Sequence, residues 1–141
     1  MCRTTYKRAI ATALFIFIAV IESASAQGAA QDEVSRFLGQ WHGDSSCVAQ
    51  STACRDETVV YKITKLPEKS GYVSVTADKI VSGNAVNMGT LQFRYDRDQH
   101  ILVCEYSQGI WRLKAEGAKM EGTLSRPDKT VFRRVTLRKE P

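Results

Sequence analysis

Residues 100–124 read HILVCEYSQGIWRLKAEGAKMEGTL. Three runs of alternating apolar and polar residues follow one another, His100 to Tyr106, Ile110 to Ala115 and Lys119 to Leu124. They are separated only by Ser107-Gln108-Gly109 and Glu116-Gly117-Ala118. A period of two places Trp111 and Leu113, then Met120 and Leu124, on one face of extended strands. Connections of three residues can join antiparallel neighbours but not parallel ones, which need crossovers of about a dozen residues or more. The segment therefore predicts a three-stranded antiparallel meander.

The same reading extends in both directions. Towards the N-terminus it gives Gly89 to Tyr95 with Leu91, Phe93 and Tyr95 aligned, Tyr72 to Ile80 with Val73, Val75 and Ala77, and Thr58 to Lys65 with Val59, Tyr61 and Ile63. A short strand around Trp41, from Phe37 to Asp44, precedes them. Towards the C-terminus, Thr130 to Arg138 follows the turn Arg126-Pro127-Asp128-Lys129. The fold class is all-β, and about eight short antiparallel strands in sequence order form a sandwich or an up-and-down barrel. Closure removes both exposed edges, which favours the barrel. Its interior would take Trp41, Tyr61, Val73, Val75, Leu91, Phe93, Leu102, Trp111, Leu113, Met120, Leu124, Val135 and Leu137. An eight-stranded barrel of this kind is either packed solid or holds one small ligand.

The chain begins differently. Arg3, Lys7 and Arg8 precede an apolar run from Ala9 to Ile21, and Ala24-Ser25-Ala26 follows, the three parts of a secretory signal peptide. The run is shorter than a membrane-crossing helix requires. Cleavage is expected between Ala26 and Gln27, giving a secreted or periplasmic protein with no transmembrane segment. Residues 27–36 then form a flexible N-terminal arm, or at most a helical turn leading into Phe37, and residues 37–141 a single barrel domain. Losing Arg3, Lys7, Arg8 and Glu22 lowers the formal charge from +5 to +3, and a basic end replaces a basic protein. Cys2 leaves too, so Cys47, Cys54 and Cys104 enter an oxidising compartment as an odd set. Cys47 pairing with Cys54 closes a short polar loop; pairing of Cys104 with either is the competing arrangement. An unpaired Cys104 is expected to be buried and inert.

Gly39-Gln40-Trp41 on the first strand, the eight-strand meander and the basic final strand resemble the calycin superfamily of lipocalins, fatty-acid-binding proteins and avidins. The resemblance is architectural. It implies that Trp41 closes one end of a lipocalin-like barrel by packing against an arginine near the end of the chain, here Arg133, Arg134 or Arg138. A guanidinium on an indole face supplies about 0.5 to 2 kcal/mol. The chain is shorter than lipocalins proper and leaves no room for their C-terminal helix. The signal peptide and arm also resemble small periplasmic inhibitors of secreted metalloproteases, although the spacing of Cys47 and Cys54 does not.

Little in the sequence points to chemistry. His42 and His100 lie in no metal-ligand spacing, although a composite site of His42, Asp44 and Cys47 can be drawn. No nucleophile elbow or positioned catalytic base is recognisable. The expectation is a binding protein without catalytic residues, metal or cofactor. Small-ligand binding in the barrel mouth would use Tyr61, Tyr95, Tyr106, Trp111 and Arg112, whose aromatic faces and polar tips can orient a ligand. The alternative is a protein-interaction module, such as a protease inhibitor acting through the arm or the Cys47 to Cys54 loop. Arg126, Lys129, Arg133, Arg134, Arg138 and Lys139 form a basic cluster suited to an anionic surface. The modest net charge and the lack of a recognition element argue against nucleic acid.

Overall fold

The structure, a computed structural model, describes residues 33–48 and 53–141. Residues 33–35 make one helical turn, after which eight strands follow: β1 (Gly39–Cys47), β2 (Glu57–Lys65), β3 (Tyr72–Val81), β4 (Asn84–Asp96), β5 (Ile101–Tyr106), β6 (Gly109–Glu116), β7 (Lys119–Ser125) and β8 (Val131–Lys139). Each pairs antiparallel with the next, and β8 returns to β1 to close the barrel. Closure runs from Trp41 opposite Lys139 to Cys47 opposite Arg133. The up-and-down order puts the loops after β1, β3, β5 and β7 at one end, the mouth. The helical turn and the loops after β2, β4 and β6 lie at the other.

Period-two alternation puts Trp41, Val59, Tyr61, Ile63, Val73, Val75, Phe93, Leu102, Leu113, Met120, Val135 and Leu137 into one core. At about 25 cal/mol per Å² of apolar surface, burying such side chains is the main favourable term of the fold. Two glycines let strands approach where side chains could not. A Cβ on Gly43 would overlap the Thr136 carbonyl of β8, and one on Gly122 would land on Leu113 and Val135.

Three sequence expectations change. Phe37 does not begin β1: it belongs to the turn and is fully buried as a plug in the far end, its ring edge-on to Tyr95 at 6.1 Å. Val34 is buried beside it, so residues 33–36 are a folded cap and not a free arm. Residues 27–32, and the expected signal peptide, lie outside the described residues. The third change is that β3 and β4 run further than expected. Ser82 and Gly83, both with φ near the left-handed region at 51° and 81°, form a two-residue turn that keeps the strands paired to their tips. A register shift at Ala77 and Asp78 bends this ribbon.

Candidate functional site

The closed end is built around Trp41. Its ring is fully buried, and Nε1 donates to the Phe37 carbonyl at 2.8 Å. The cation over the indole is Lys139, its Nζ 5.3 Å from the ring centroid and also donating to the Arg36 carbonyl. This corrects the expected arginine partner. Arg134 and Arg138 point outwards, since Val135 and Leu137 take the inward positions of β8. Arg133 points inwards, but at the mouth. Strand direction decides this: β8 descends from mouth to base, so only its last inward residue can reach Trp41.

Arg133 organises the mouth side of β1, β2 and β8. Its Nη1 donates to Ser45 Oγ at 2.6 Å and Glu57 Oε2 at 3.1 Å. Its Nη2 donates to the Arg55 carbonyl and faces Cys47 Sγ at 3.8 Å and Cys54 Sγ at 3.7 Å. Cys47 and Cys54 are joined in a disulfide, and Asp56 accepts from the Cys47 amide at 2.8 Å. Glu57 also meets Lys79 at 3.6 Å. Among the described residues Cys104 is the free cysteine and is buried; burial and the neighbouring Glu105 hold its pKa above the ordinary thiol value.

Across the barrel from this cluster, the mouth is hollow. A cavity of about 480 Å³ is lined by Tyr61, Leu91, Phe93, Tyr106 and Trp111, with Met88, Gly89, Thr90 and Gln108 at its rim. This lies within the usual range of small-molecule sites. Tyr61 and Trp111 meet edge to face at 6.5 Å and 89°. None of the lining side chains is charged. Val75 and Ala77 complete the wall.

Of the five expected ligand residues, the structure brings Tyr61, Tyr106 and Trp111 together here. Tyr95 does not join them. β4 runs from mouth to base, so Tyr95 near its end meets His100 Nδ1 at 3.0 Å and Arg36 at the closed end. Arg112 lies one residue past Trp111 and so points outwards, into a shallow groove with Thr123 and Arg134. Met88 and Gln108 carry no pattern that marks them, because one sits in a bulge and the other in a turn. The metal composite is broken by the same alternation: His42 and Asp44 are exposed on the outside of β1, while Cys47 is oxidised to a disulfide. The basic cluster disperses too. Arg126 stacks on Phe132 at 4.8 Å and Lys129 occupies a turn, whereas Arg133 turns inwards and Lys139 lies at the opposite end.

Burial raises the pKa of the Tyr61 hydroxyl far above the ordinary tyrosine value, with Arg133 lowering it less; Tyr106 is raised by burial and lowered in part by Trp111. A group whose folded pKa is raised gives stability that is fully present below its unfolded value and lost as pH climbs towards the folded one. Urea unfolding should therefore show stability falling once the pH passes about 10. Tyr61→Phe should flatten that fall, and an unchanged alkaline loss in this variant would show that Tyr61 is not its source.

No protein family matches the sequence, and no curated protein does. Solved structures do. One, described as "The Siderocalin Ex-FABP functions through dual ligand specificities", superimposes with a TM-score of 0.52 at 10% identity, over 74% of this chain and 74% of that one. The fold is calycin-like. At this identity the likeness concerns architecture alone.

Proposed function

We propose that this chain is a non-enzymatic carrier that takes a small, uncharged molecule with a flat or aliphatic body into the mouth of its barrel. The cavity bounded by Tyr61, Phe93, Tyr106 and Trp111 carries this reading. Its walls supply ring faces and a few polar tips, and Arg133, the cation that acts on Tyr61, is already engaged by Glu57 and Ser45. A charged ligand would lose its hydration without gaining a counter-charge. The siderocalin likeness supports ligand binding as the use of this architecture. The N-terminal residues 1–26 support export, and a disulfide between Cys47 and Cys54 is in keeping with an oxidising compartment.

Nile red, an uncharged fluorescent dye, tests the site. The full chain should bind it with a rise in emission. Trp111→Ala should weaken binding about tenfold, the equivalent of about 1.4 kcal/mol, whereas Tyr95→Phe at the closed end should leave it unchanged. Failure to bind the dye, or equal loss in both variants, would remove the mouth as the binding site.

A further inference from the structure

The upper part of the β3–β4 ribbon stands apart from the rest of the barrel. β4 pairs with β5 through Arg94–Asp96 against Ile101–Val103 alone. Continuing that register, β5 ends opposite Leu91, so Asn84 to Thr90 rise beyond it. Among the described residues no other segment hydrogen-bonds the outer edge of Asn84–Thr90, although Gly89 N is held by its own neighbour Asn87 Oδ1 at 3.0 Å. A two-stranded ribbon is marginal by itself in water, and a row of unpaired backbone groups is a template for another strand.

The side chains reinforce this. Residues 80–93 read IVSGNAVNMGTLQF and carry no charge, in a chain where a quarter of the residues do. Proteins ordinarily guard a free edge with lysine, proline or an inward charge; here Val81, Val86 and Met88 are 47%, 43% and 44% exposed instead. Burying the ribbon in a bilayer would strand its unpaired N–H and C=O groups in hydrocarbon. A partner strand would satisfy them. An antiparallel pair about a two-fold axis presents the same edge from both sides, and an edge without charge meets its own copy without repulsion.

We propose that two copies of this chain associate through the Asn84–Thr90 edges of β4, joining their β3–β4 ribbons into one four-stranded antiparallel sheet. Met88, Gly89 and Thr90 also rim the mouth cavity, so this contact would narrow its opening. The inference is independent of what the cavity binds.

Light scattering and sedimentation equilibrium should show a monomer giving way to a dimer between about 10 µM and about 1 mM, the range expected of a small interface. Amide exchange at residues 84–90 should slow as concentration rises. The A85K/V86K variant, with both lysines on exposed positions, should remain monomeric with its far-ultraviolet circular dichroism unchanged. A monomer throughout the range would overturn the proposal. So would a dimer that survives A85K/V86K, or protection at residues 84–90 that does not depend on concentration, as pairing with the chain's own first residues would give.

Discussion

Trp41→Ala should cost about 3 to 5 kcal/mol of folding stability, the usual loss on truncating a fully buried tryptophan, and lower the thermal midpoint by roughly 15 °C or more. Three contacts fail at once. The indole fills the closed end, its N–H satisfies the Phe37 carbonyl, and its face underlies the Lys139 ammonium. The cap formed by Val34 and Phe37 packs on the same spot, so residues 33–38 should lose protection in amide exchange before the strands do. Lys139→Met isolates the smallest of these terms and should cost under about 1 kcal/mol, because the cation lies at a partly wetted rim. Urea melts of the two variants compare them directly. Equal small losses would mean that the closed end collapses around the deletion and that Trp41 is not its keystone.

Arg133→Ala is the second large effect, expected at about 2 to 3 kcal/mol. Breaking a buried ion pair by removing one partner costs about 3 to 5 kcal/mol, discounted here because the Glu57 side chain keeps 24% of its surface exposed. The loss goes beyond charge. Ser45, the Arg55 carbonyl and both disulfide sulfurs face the same guanidinium, so its removal unfastens the loop from β8 as well. A double variant separates the contributions. Arg133→Ala with Glu57→Gln should recover part of the stability, since no unpaired acid is then left at the half-buried site. Strict additivity of the two substitutions would show that the pair contributes nothing beyond its separate packing.

The contrast between these two residues shows what is legible in such a sequence. Alternation assigns a residue to the inside or outside, and it does so correctly for Tyr61, Phe93, Trp111, Leu113 and Met120. It leaves height in the barrel unread. Tyr95 shares a face with Phe93 yet belongs to the far end, and Arg133 shares a face with Lys139 but lies at the opposite rim. Height follows from strand direction combined with distance from the nearest turn, both of which depend on where each strand starts. Those starts were hidden at two places. The polar, glycine-containing stretch from Ser82 to Gly89 resembles a loop, because its pairing is maintained by a tight turn and a bulge and not by apolar alternation. Phe37 resembles a strand residue until its burial beneath Trp41 is seen. The short loop favours the Cys47–Cys54 pairing, but its anchoring by Arg133 has no signal in spacing.

The seam between β1 and β8 also bears on when the barrel can form. Trp41 and Lys139 are partners across almost the whole described chain, whereas every other strand pairs with its sequence neighbour. Local hairpins can form early, but contacts of such long sequence separation come late. During synthesis the indole waits for a lysine on the last strand, so the barrel closes only once β8 has been made. A chain stopped before β8 would carry a finished meander with two open edges and an unsealed base.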